Sequence, residues 1–110
     1  MGTVIDTTYY PTEPILIGAD WGAGSGHKFT FSQDISSVVF SLTFENNGTE
    51  IIQLTEANGR ITHSGAYIIY LKISHTDTAT LSPSIAIGNL LGTSGTDVNK
   101  YMTINTEIIR

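Results

Sequence analysis

Bulky apolar residues recur at every second position in short runs along this chain, and polar turn-formers separate the runs. The clearest run is Ser36–Glu45, in which Val38, Phe40, Leu42 and Phe44 share one parity and Ser37, Val39, Ser41 and Thr43 share the other. Successive strand side chains point to opposite sides, so this alternation predicts a half-buried strand. A one-residue slip would expose all four bulky residues, which fixes the register strongly. Asn46-Asn47-Gly48 follows. Asn-Gly suits the positive φ angles of a tight hairpin, so Glu50–Leu54 is expected to return as the partner strand.

The same pattern extends in both directions. Ile15-Leu16-Ile17 predicts a short apolar strand, and His27–Ser32 alternates with Phe29 and Phe31 on one face. Turns are expected at Ala57–Arg60 and at Ser64-Gly65, with a short strand over Ile61–His63 between them. Ala66–Ile73 places Tyr67, Ile69, Leu71 and Ile73 on one face and Ile68, Tyr70 and Lys72 on the other, as expected of a central strand or one covered on both sides. Ile85–Leu91 is expected to be a strand with Ile85 and Ile87 in phase, and Gly92–Asp97 a polar turn. Tyr101–Ile109 closes the series, with Met102, Ile104, Thr106 and Ile108 on one face.

A helical signal lies in Ser74–Leu81. Ser74 followed by Asp77 resembles a capping box with Asp in place of Glu. The threonines at 76, 78 and 80 are poor helix formers, so one short turn is expected, closed by Pro83. Turn signals about every ten residues between seven to eight short strands indicate an all-β, antiparallel sandwich and not βαβ units. Residues 15–110 are expected to form this single domain. Residues 1–14, interrupted by Pro11 and Pro14, read as an N-terminal arm or an edge strand, because proline cannot donate to a sheet ladder.

Composition narrows the possible roles. The chain has 110 residues, no cysteine and a formal net charge of −5. That length can bury one core without a disulfide or metal, and thiolate chemistry is excluded. The five basic residues are scattered, which argues against nucleic acid or an anionic membrane as partner, since phosphate binding needs clustered Lys and Arg. No apolar run approaches the ~20 residues of a spanning helix, and residues 1–6 lack the layout of a signal peptide. The chain is therefore expected to be made in a cytoplasm and not exported by a signal of its own.

No catalytic or metal constellation emerges, and no cofactor is implied. The run Gly22-Ala23-Gly24-Ser25-Gly26 is not followed by a helix, so it reads as a flexible surface loop and not a phosphate cradle. His27, His63 and His75 lack metal-ligand spacing and read as isolated surface or strand-end residues. Glu45 and Glu50 flank the Asn47 hairpin and are expected to face each other as solvated charges. The candidate contact residues are Tyr9, Tyr10 and Trp21. Trp21 has two readings: a contact for a sugar or a protein partner, or a plug folded back into one end of the sandwich, which small cores favour.

The segment Leu54–Leu81 contains Leu-Thr followed by Asn58-Gly59-Arg60-Ile61, and then Ile73-Ser74-His75-Thr76-Asp77-Thr78-Ala79 before Leu81. With Phe29-Thr30-Phe31 upstream and Glu107-Ile108-Ile109-Arg110 at the end, residues 29–110 resemble small tail-associated proteins of tailed phages and prophages. They look like the immunoglobulin-like N-terminal module of phage upper-baseplate proteins. The chain departs from that pattern at Ile85–Asn89, where the family shows a Tyr-Asp-Leu strand. The resemblance implies a non-enzymatic virion protein of a tail or baseplate that contacts itself, as a homo-oligomer, or neighbouring virion proteins. The alternative is a carbohydrate-binding or host-adhesion module that uses Trp21 and tyrosines.

Overall fold

The computed structural model describes residues 13–110 and, as backbone, Thr8–Tyr9. It is an all-β sandwich. The strands are β1 (Thr8–Tyr9), β2 (Ile15–Leu16), β3 (His27–Thr30), β4 (Val39–Asn46), β5 (Thr49–Thr55), β6 (Ile61–Ser64), β7 (Ile68–Leu71), β8 (Ser84–Ser94) and β9 (Asp97–Ile109), with one helical turn, α1 (His75–Thr78). Among the described residues the large sheet has the order β1-β9-β8-β4-β5, with β2 also on β9, and the small sheet has the order β3-β7-β6. Pairing is antiparallel except at one margin, where β1 and β2 run parallel to β9. The N-terminal segment thus reaches the β9 edge by two-residue pairings on either side of Pro11 and Pro14.

Alternation sets the inner faces. Phe40, Leu42 and Phe44 of β4, Ile52 and Leu54 of β5, and Ile69 and Leu71 of β7 are all buried. Asn47 carries φ 51 and Gly48 φ 81, the left-handed pair that the β4–β5 hairpin requires. A bulge between Phe44 and Glu45 leaves Glu45 opposite Glu50. β7 is the central strand of its sheet, but its outward residues Ile68 and Tyr70 are only half-buried.

Two strands are longer than their sequence suggests. The turn expected over Gly92–Asp97 shrinks to Gly95-Thr96, because Gly92, Thr93 and Ser94 of β8 pair with Asn99, Val98 and Asp97 of β9. The inward face of β8 is built from Ala86, Gly88, Leu90 and Gly92, so Ile85 and Ile87 point outward. A side chain at Gly92 would meet the Tyr101 ring at 2.5 Å and Val38 at 2.6 Å, and one at Gly88 would meet Leu42 at 3.0 Å. Small residues here leave room for bulk from neighbouring strands. A bulge near Leu90/Leu91 turns Tyr101 inward, where it packs edge-on against Phe31 and Phe40.

The helical turn forms as its cap predicts. Ser74 has extended backbone and its side chain accepts from the Asp77 amide. The Asp77 carboxylate, however, pairs with Arg60 at 2.8 Å. The glycine loop is not the flexible loop that composition predicts. Gly22 is buried, a Cβ at Gly26 would lie 2.6 Å from the Leu71 carbonyl oxygen, and Lys72 Nζ donates to the Gly24 carbonyl at 2.6 Å. These glycines let two backbones approach closely.

Gly24 has φ +69 with open space around its Cα, whereas Gly26 has φ +118 and the Leu71 carbonyl against it. Gly24→Ala is expected to cost about 1 kcal/mol, from left-handed backbone alone. Gly26→Ala is expected to cost about 3 kcal/mol or more, since a clash adds to the backbone term. Urea unfolding of the two variants checks this; equal losses would contradict the packed loop.

Candidate functional site

Of the candidate contact residues, Trp21 is resolved decisively. It is 1% exposed. Its backbone bridges to Ile73 in both directions, its ring sits 4.4 Å from His27 and 5.8 Å from Phe44, and Nε1 donates to the Glu13 carbonyl at 3.2 Å. Trp21 plugs the end of the sandwich where β4 terminates. A contact role for Trp21, in sugar stacking or on a partner, is therefore corrected: the ring has no free face. The side chain of Tyr9 and the whole of Tyr10 lie outside the described residues.

The histidines are not isolated. Each pairs with a carboxylate: His27 Nε2 with Glu13 at 3.0 Å, His63 Nε2 with Glu56 at 2.9 Å, and His75 Nδ1 with Asp20 at 3.0 Å. The first contact is close but poorly aligned for a hydrogen bond, and His27 Nε2 is buried without an aligned partner. His75 and Asp20 are 55 positions apart in the chain, whereas His63 and Glu56 are seven apart across the β5–β6 turn. Glu56 also accepts from the Phe40 amide at 2.6 Å, which ties β4 to the β5–β6 turn. Burial pushes the His27 pKa below its ordinary 6.5, against the opposing pull of the Glu13 charge. Hydrogen bonds from the His75 backbone and ring hold Asp20 below the usual carboxylate range, and Arg60 does the same for Asp77.

These pairs fasten the chain where it crosses between sheets. Among the described residues, no three carboxylate, imidazole or thiol groups come together in a way that could hold a metal ion. No helix there is long and apolar enough to cross a membrane.

The surface feature that remains is the outer face of the large sheet. It is assembled from the outward parity of β4, β8 and β9. Val39 lies in register with Thr93, and Thr93 with Val98; Thr43 lies in register with Asn89, and Asn89 with Thr103. Glu45 lies in register with Ile87, and Ile87 with Asn105. The central row is polar, and Thr103 Oγ1 donates to Asn89 Oδ1 at 3.0 Å. Apolar groups sit at both ends of it: Val39 and Val98 are 57% and 60% exposed, and Ile85 and Ile87 are 59% and 44% exposed. Shallow depressions lie between Ser41, Thr43, Asn89 and Leu91, and between Glu45, Asn46 and Ile85.

Sequence reading missed this face, because Ile85 and Ile87 look like core residues. The available signal was the parity of Ala86, Gly88, Leu90 and Gly92, small residues in phase with a Leu.

No family model matches the chain, and neither a curated protein nor a solved structure matches it significantly.

Trp21 fluorescence is expected to be blue-shifted and insensitive to iodide, and Trp21→Ala to lose about 3–5 kcal/mol of stability; a red-shifted, quenchable emission would contradict the plug. His27 gives a pH signature. Its folded pKa lies below that of the unfolded chain, so its contribution is present above 6.5 and is lost as pH falls toward the folded value. The unfolding free energy of the wild type should therefore fall more steeply below pH 6.5 than that of His27→Gln. Parallel curves would contradict it.

Proposed function

We propose that the chain is a non-enzymatic structural or assembly protein of a phage or prophage tail or baseplate, working in the virion through contacts with copies of itself and with neighbouring tail proteins. The observation that carries this reading is the outer face of the large sheet, with four large aliphatic side chains between 44% and 60% exposed. Isolated exposed aliphatics are ordinary, but two pairs of them, Val39 with Val98 flanking Thr93 and Ile85 with Ile87 along β8, on one face of one sheet make a surface suited to association. The resemblance of residues 29–110 to tail-associated proteins supplies the setting.

A second copy fits the face by symmetry. Apolar spots lie at both ends of the strands and polar Thr43, Asn89 and Thr103 lie between them. A two-fold axis in the plane of the sheet, along or across the strands, brings apolar spots onto apolar spots and the Thr/Asn row onto itself. Such an isologous contact needs one self-complementary patch only. Free sheet edges are a weaker route at β5. Its Gln53 carbonyl accepts from Arg60 Nη1 at 2.8 Å and from Asn58 Nδ2 at 2.9 Å, and its Thr55 amide donates to Asn58 Oδ1 at 3.0 Å. Side chains thereby cover part of the ladder that another chain would need.

With a net charge of −5, copies repel at low salt and associate more readily as salt screens them. Light scattering across a concentration series is expected to show masses above the 11.9 kDa monomer. The double substitution Ile85→Glu and Val98→Glu is expected to weaken association roughly tenfold or more while leaving thermal stability near wild type. A monomer at every concentration, or association untouched by the double substitution, would overturn self-association through this face.

A further inference from the structure

A polar cleft of about 210 Å³ opens at the end of the sandwich remote from Trp21, where β4 begins. One wall is the 31–38 crossing. Ile35 is buried there, its amide donates to the Ala66 carbonyl at 2.7 Å, and its carbonyl accepts from Val38 at 3.1 Å. Asp34 Oδ1 accepts from the Ser36 amide at 2.9 Å and from its hydroxyl at 2.6 Å, so the loop is fixed locally as well. The opposite wall is the β8–β9 hairpin, closed by Ser94 against Asp97 and by Gly95 with φ 63. Tyr101 lies at the base, packed on Phe31 and Phe40. The shape of the cleft is therefore set by core packing and backbone bonds before any ligand arrives.

Its polar lining comes from Gln33, Asp34, Ser37, Asp97 and Asn99 with Ser94, and Val38 and Tyr101 supply its small apolar part. The polar groups offer amides that donate and accept, hydroxyls that do both, and carboxylates that accept only. No Lys, Arg or His lines it. Two carboxylates without a cation disfavour anions, and Val38 and Tyr101 alone offer too little apolar wall to bury an apolar ligand. No third carboxylate or imidazole joins the two Asp, so among the described residues they do not make a cluster able to hold a metal ion. What this lining matches is a small neutral molecule with several adjacent hydroxyls: its O–H groups donate to the carboxylates, and its oxygens accept from the amides. We infer that this cleft binds one ring of a neutral saccharide. It is a separate site from the outer sheet face, because Val98, between Asp97 and Asn99, points to the other side of β9, and it stands whether or not the chain self-associates.

Titration of the ¹⁵N-labelled protein tests it, with methyl glycosides of glucose, galactose, N-acetylglucosamine and rhamnose as probes, and calcium chloride and inorganic phosphate as separate arms. Saturable amide shifts confined to residues 33–38 and 94–101 are expected with at least one glycoside, at a dissociation constant on the order of 1 mM. Asn99→Leu is expected to weaken that binding roughly tenfold or more, and Ile85→Glu to leave it unchanged. Gln33→Ala, on the opposite wall, gives the same loss and takes the place of Asn99→Leu should that variant unfold. Absence of saturable shifts with every glycoside would overturn the assignment. So would shifts with calcium or phosphate alone, or glycoside binding that both cleft variants leave intact.

Discussion

Apart from Leu90, the inward face of β8 carries only Ala86, Gly88 and Gly92, and the rest of the molecule is arranged around that fact. Gly92 leaves no space for a Cβ against Tyr101, and at Gly88 a Cβ would press tightly on Leu42. The aromatic and aliphatic side chains of β4 and β9 therefore close over β8 and meet the small sheet directly. Phe31, Phe40 and Tyr101 interlock at one end with centroids 5.1–5.6 Å apart, and Trp21 stands edge-on to Phe44 at the other. Protein interiors tolerate neither voids nor overlap, so small residues on one strand fix where large ones on its neighbours must go. The same parity sends Ile85 and Ile87 outward. One packing constraint thus shapes both the core and the surface assigned to self-association.

Polar contacts hold the crossings between sheets, where the chain leaves the ladders that would otherwise satisfy its backbone. The 17–26 crossing is fixed by the buried Thr78, whose hydroxyl accepts from Gly18 at 3.1 Å and donates to the Ala19 carbonyl at 2.8 Å. The 56–60 crossing is fixed by Glu56 on Phe40 and His63, and by Arg60, which reaches both Gln53 and Asp77. Unpaired backbone groups in partly buried loops are costly, and side chains meet that need here. The carboxylates of the three histidine pairs do the same work: Glu13 accepts from the Gly22 amide, Glu56 from Phe40 and Asp20 from His75.

The two surfaces singled out differ in character. The outer face of the large sheet is broad and shallow, apolar at its ends, and suited to another protein surface. The cleft between the 31–38 crossing and the β8–β9 hairpin is small and polar. Both rest on regular ladders and buried anchors, so their geometry is settled by the fold and not by ligand-induced ordering. A structural protein that also held a saccharide would place the two contacts on different sides of β9, leaving each free of the other.

Much of this was written in the residue pattern. Alternation at Val38–Phe44 fixed the inner face of β4, Asn47-Gly48 fixed its hairpin, and Ser74 with Asp77 fixed the start of α1, because each depends on neighbours within a few positions. The pattern also placed a plug at Trp21 among its readings. Local signals stopped where contacts join distant parts of the chain. Nothing near Ile85 says that Leu42 and Phe44 occupy the space beneath Gly88; the small-residue parity of Ala86, Gly88 and Gly92 hints at the outward turn of that isoleucine, and the sheet order decides it. Nothing near Gly26 announces the Leu71 carbonyl against it, and His27, His63 and His75 find their carboxylates only through the crossings. Short-range periodicity determined the strands and, where bulk alternated clearly as in β4, their inner faces; which face of β8 met the core, and which side chains met one another, followed from packing two sheets together.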